Sequence, residues 1–267
     1  MATVATDDRD RSVSIGRIFS RAFGTLAGNP VATLGIAFLF GALPSVVFGY
    51  AVQLFQDQTL EELGGPAAFV IALVSIVISI LLSMITQGAL VRATVAHSEG
   101  RKASFAESAS AGLSVAWPLF LVGLLSSLGI ALGFVLLIVP GVMLYVIWSV
   151  AAPALVEERL GPIEALGRSR ELSRGARWKI FGLTLVVLVI YWMFSALVGV
   201  LSVMWYGGVG NFAAMTEQGL PLPYLAVTAI VSTITSAVWG VIQTSLYVEL
   251  RSWKDGPATD RLAEIFG

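Results

Sequence analysis

Five stretches of this chain contain no charged residue: 22–56, 63–91, 108–156, 180–216 and 218–248. A helix of about 20 apolar residues crosses the roughly 30 Å hydrocarbon core of a bilayer. Four of the stretches fit one crossing each. The third holds 49 residues, and as one straight helix at about 1.5 Å per residue it would be about 70 Å long. It has to fold back. The breaker nearest its middle is Pro140-Gly141, where proline removes a backbone donor and glycine permits a tight turn. The pattern therefore predicts six spanning helices, near 31–55, 67–91, 115–138, 141–156, 180–204 and 222–248. This is an all-α polytopic membrane protein, one integral domain over residues 1–267. Composition agrees: 12% of residues are charged, against about 25% in a soluble domain.

Loop charge sets the orientation. Asp57, Glu61 and Glu62 lie between the first two spans, and Glu217 lies between the last two. All sixteen Lys and Arg fall in the N-terminus, 92–102, 159–179 and the C-terminal tail. The positive-inside bias places those segments, and both termini, in the cytoplasm. Asp7, Asp8, Arg9, Asp10 and Arg11 open the chain, which is not how a signal peptide begins, so Met1 is expected to be the mature start.

Each helix pair is preceded by an amphipathic segment on that basic side. In the first, Ile15, Ile18, Phe19, Ala22, Phe23 and Leu26 share one face, with Arg17 and Arg21 opposite. The second, Ser104 to Leu113, opens on a Ser104–Glu107 capping box. The third starts at Gly161-Pro162 and carries Ile163, Ala165, Leu166, Ser169, Leu172 and Ala176. The three read as repeated units, 13–96, 103–158 and 161–250, each a surface helix plus a hairpin. Chance amphipathicity of connectors is the competing explanation.

The stretch from Val139 to Gly182 holds Pro140-Gly141, Gly161-Pro162, Glu164-Ala165, Arg168-Ser169, Gly175 and Trp178. It resembles the central motif of the YciC-like bacterial integral membrane proteins, a module related to the membrane domain of some glycerophosphodiester phosphodiesterases. The ending LYVELRSWKDG resembles that family's last helix. The resemblance implies a six-helix protein of a bacterial inner membrane. It does not imply phosphodiester chemistry, which belongs to a separate soluble domain.

Reactive groups are sparse. There is no cysteine, which excludes disulfides and thiolate sites. His97 is the only histidine, and a metal site wants companions. No Asp or Glu falls inside a predicted span, so intramembrane acid dyads and proton relays are not expected. The chain is read as a non-enzyme with no cofactor, no metal and no nucleic-acid partner. Gln87 and Gln243, with scattered Ser and Thr, are the polar residues at membrane depth, and the two glutamines are either a substrate site or, more commonly, hydrogen-bonding partners between helices. On a helix from Pro162 to Trp178, Glu164–Arg168 and Glu171–Arg174 can pair locally. Arg170 and Arg177 project beside Ile163 with no acid in reach. With Lys179 they are candidate contacts for anionic lipid, each charge worth about 1 kcal/mol at an anionic surface, or else signals for insertion. The expected role is structural or regulatory, in membrane or envelope homeostasis, through lipid or a protein partner. The alternative is a permease for a lipid or another hydrophobic molecule.

Overall fold

The computed structural model describes residues 13–44, 46–47, 60–211 and 221–256. Every regular element among them is a helix. In chain order they are α1 (Ile15–Gly28), α2 (Pro30–Ile36) running into a π-helical turn (Ala37–Ala42), α3 (Leu60–Ser98) and α4 (Phe105–Leu136). They continue as α5 (Ile138–Trp148), α6 (Ala151–Glu158), α7 (Pro162–Ser173), α8 (Arg177–Trp205) and α9 (Leu222–Asp255). Five segments are long and apolar enough to cross a membrane: Phe69–Ser98, Phe105–Leu136, Ile138–Glu158, Arg177–Trp205 and Leu222–Asp255. A sixth follows if α1 and Pro30–Ala42, bent by 95° at Asn29, count as one broken span. The bend has a local cause. Asn29 closes α1 and accepts the Ala32 N–H at the start of α2, while Pro30 takes the first helical position. The second half of the predicted 31–55 helix lies largely outside the described residues.

Pro140-Gly141 is not the turn. Helix runs unbroken from Ile138 through Val142, and the chain reverses one turn earlier, at the single extended residue Leu137 (φ −165°, ψ 155°). Pro140 sits in the first turn of α5, where a missing N–H leaves no helical bond unmade. Gly141 is needed for packing: a methyl there would stand 2.5 Å from the Phe134 ring, and one on Gly133 would stand 2.9 Å from the Gly141 Cα. Trp148 covers Gly129 from the returning helix. The 49-residue run does fold back, as a tight antiparallel hairpin of α4 on α5.

The surface-helix pattern also needs correction. Its second copy is not a separate helix, because α4 is continuous from Phe105 and the Ser104 hydroxyl caps the Glu107 N–H at its start. The third copy ends at Ser173. Arg174 is extended and Gly175 takes φ +92° against the Trp253 ring, so Arg177 opens α8 and does not share the α7 surface. In the first copy, Arg17 and Arg21 do not face away from the bundle. Both reach Glu249 of α9, whose side chain is 4% exposed and also accepts the Ser14 N–H. Ile18 and Ala22 are buried in the main core with Tyr247 and Leu250.

Candidate functional site

Two helices carry polar faces that meet. On α3, Ser79, Ser83, Thr86, Gln87 and Leu90 follow helical spacing; on α9, Ser232, Thr235, Ser236, Trp239, Gly240 and Gln243 do the same. Both stripes line a cavity of 720 Å³ whose remaining walls come from Phe40 and Gly41 of the π turn and Leu188, Tyr191 and Ser195 of α8. The cavity exists because α8 packs closely only near its start, through Ile180, Leu183 and Val187. It touches α9 again beyond the cavity, where Tyr206 and Tyr224 meet edge to face at 6.4 Å. The π turn suits this position, since such turns displace side chains from the regular helical ladder.

One end of the cavity is closed by a hydrogen-bonded layer. The Gln87 amide donates to Gln243 at 3.1 Å, and the Gln243 amide donates to the Ser149 carbonyl at 2.7 Å. The two glutamines are therefore hydrogen-bonded between helices, and they also form a cavity wall. Beyond this layer the hydroxyls behave differently. Thr86, Ser202, Thr233 and Thr244 donate to carbonyls four residues back. Among the described residues, the hydroxyls of Ser79, Ser83, Ser195, Ser232, Thr235 and Ser236 have no such partner. Sequence reading did not single them out, although their spacing with the two glutamines was the available signal.

The basic face is organised around Arg168. Its guanidinium bonds Glu158 of α6 at 2.9 Å, Glu171 at 3.1 Å and Asp255 at the end of α9. Burial opposes its charge, yet the carboxylates hold its pKa above the ordinary arginine value. Tyr247 adds a 2.9 Å bond to Glu158. The local pairs expected from sequence are displaced: Glu164 instead accepts the Gly161 N–H as a helix cap, and Glu171 goes to Arg168. Ser169 fills the break between α5 and α6, donating to the Ile147 carbonyl at 2.7 Å and accepting the Val150 N–H. His97 lies against Gly24 and Gly28 of α1.

The three candidate lipid contacts are not equivalent. Arg170 is exposed on α7, near the 77%-exposed Ile163. The Arg177 Nε is buried without a hydrogen bond among the described residues, beside the 85%-exposed Trp178. Lys179 donates to the Val13 carbonyl at 3.1 Å and so ties α8 to the chain ahead of α1.

Apolar spans with a basic, ion-paired face define a polytopic helical membrane protein. Residues 103–251 match the family described as a domain of unknown function, DUF7847, and the chain belongs to that family. The matched stretch covers α4 through most of α9, including Arg168 and Gln243, while α3 and the π turn lie before it. No curated protein and no solved structure matches the chain.

Proposed function

We propose that this is a non-enzymatic protein of a bacterial inner membrane that holds an uncharged amphiphile in the cavity between α3, α8 and α9. Its role would be structural or regulatory, in membrane or envelope homeostasis. The observation that carries the reading is the set of six cavity hydroxyls with no partner among the described residues. None of these six residues is buried, so a ligand with hydroxyl or amide groups can reach them and hydrogen-bond to them. The lining has no charged side chain, which favours a neutral headgroup, and Phe40, Leu90 and Leu188 offer apolar wall for a chain. The exposed Arg170 and the part-buried Arg177 would serve the same membrane role by holding anionic lipid at the cytoplasmic surface. The resemblance to YciC-like proteins agrees with this reading.

Native mass spectrometry of protein purified in mild detergent tests both contacts. Ser79→Leu/Ser232→Leu should release a neutral amphiphile, lowering its occupancy about tenfold, since two hydrogen bonds are worth about 1–3 kcal/mol. Arg170→Gln/Arg177→Gln should lose anionic phospholipid and keep the neutral species. Unchanged neutral occupancy in the serine variant would defeat the cavity reading. The loop charges favour a cytoplasmic position for both termini; a reporter fused after Asn211 should read as external, and a cytoplasmic signal there would reverse the orientation. The permease reading draws on the same cavity, whose Gln87–Gln243 layer would be its inner barrier. It requires flux of the bound amphiphile across reconstituted vesicles.

A further inference from the structure

A second cavity, of 780 Å³, lies between α3, α4 and α6, on the face that carries Arg168. We propose that it binds the headgroup of an aminophospholipid, with the phosphate on Arg159 and the primary ammonium on the Glu107 side. The site goes beyond the neutral-amphiphile cavity and does not depend on it.

The argument starts from charge. Two arginines and two glutamates line this cavity, so it suits neither an anion nor a cation alone. Arg92 is already used: its Nε and one terminal nitrogen both bond the Glu107 Oε1, at 3.1 and 2.9 Å. Glu157 is drawn to Arg251 at 3.7 Å. Arg159 is different. It is exposed, it holds left-handed backbone (φ 52°) just past the end of α6, and it has no acid partner among the described residues. That leaves one open guanidinium fork, which suits a phosphate.

The ammonium side is equally specific. Arg92 bonds the Glu107 carboxylate and Arg101 approaches it at 4.0 Å, all on Oε1, so Oε2 remains available as an acceptor. Pro118 lies inside α4 and lacks the N–H that would meet the Ser114 carbonyl, and both residues line the cavity. A carboxylate oxygen and a freed carbonyl are acceptors that ask for an N–H donor. A primary ammonium has three, whereas a quaternary ammonium has none. Quaternary groups are held by aromatic faces, and no aromatic residue lines this cavity. Val115, Leu155 and Leu160 supply the apolar surface beneath.

The test uses the full-length protein in lipid nanodiscs holding phosphatidylethanolamine, phosphatidylcholine and phosphatidylglycerol in equal amounts, with retained lipid read by native mass spectrometry. Phosphatidylethanolamine should be retained over phosphatidylcholine by about tenfold, the value of one charge-assisted hydrogen bond. Arg159→Gln should lower retention of phosphatidylethanolamine and phosphatidylcholine together, because both carry the phosphate that Arg159 holds. Ser114→Phe, which fills the cavity without altering its charge, should remove the preference. Equal retention of the two lipids by the unaltered protein would overturn the proposal without any variant. So would an unchanged preference in Ser114→Phe, or unchanged phosphatidylethanolamine retention in Arg159→Gln. Retention of phosphatidylglycerol alone would assign Arg159 to general anionic contact and would also overturn it.

Discussion

Gly112→Leu should prevent α3 and α4 from closing on each other and lower the yield of folded protein sharply. A methyl on Gly112 would collide with the Ile85 carbonyl and come within 2.9 Å of the Ala89 nitrogen, both backbone atoms of α3. Gly88 answers it from the other side: a methyl there would lie 2.9 Å from the Gly112 Cα. Backbone cannot yield as a flexible side chain can. The expected cost is therefore at the upper end of overpacking, about 3 kcal/mol or more. In membranes such small-residue contacts are a principal source of helix association. Gly167→Ala on α7 is the comparison, because nothing lies within 4 Å of a methyl at that position. It should be neutral or gain about 0.5 kcal/mol from helix propensity. Thermal aggregation midpoints of the two purified variants check this, and equal midpoints would remove the close-approach argument.

Arg168→Met is the second large effect. Arg168 is 17% exposed, and its partners Glu158 and Asp255 are 18% and 22% exposed. Removing the cation leaves Glu158 in a part-buried setting with, among the described residues, only Tyr247 donating to it. Breaking one side of a buried ion pair costs about 3–5 kcal/mol; partial exposure here reduces that to about 2–3 kcal/mol. The end of α9 should loosen from α6 and α7, which hydrogen exchange across 247–255 would read as faster exchange. Arg168→Lys keeps the charge and loses the fork that spans three carboxylates, so it should fall between the two. Protection at 247–255 equal to that of the unaltered protein would show that the network does not hold this end.

The spans were legible because a bilayer imposes a length that sequence records directly as the absence of charge. The capped helix starts at Ser104 and Gly161 were legible for a related reason: their signals are local. The turn of the long run was misplaced because Pro-Gly has two uses. It can break a helix, or it can begin one and let a neighbour approach, and only the Phe134 ring decides between them. The local pairs Glu164–Arg168 and Glu171–Arg174 failed because partners from α6 and α9 outcompete neighbours one turn away. The buried carboxylate Glu249 illustrates the same limit. Nothing within its own stretch announces that Ser14, Arg17 and Arg21 will gather on it from more than 200 residues earlier. The cavity hydroxyls lay within reach of sequence reading, since two polar stripes with matching spacing on apolar helices are a pattern.

The interruption between α5 and α6 bears on how the chain is assembled. At Ser149-Val150 the helix leaves backbone groups that it cannot satisfy itself. Ser169 takes the Ile147 carbonyl and the Val150 N–H, and Gln243 takes the Ser149 carbonyl. Ser169 is made soon after the break, but Gln243 lies 94 positions further along the chain. During synthesis the segment 138–158 therefore waits, with an open carbonyl, for α9 to be inserted, and such a group facing lipid costs several kcal/mol. The segment 138–158 is a latch left open until α9 arrives, and the arrival of Gln243 both completes that segment and builds the Gln87–Gln243 wall of the cavity.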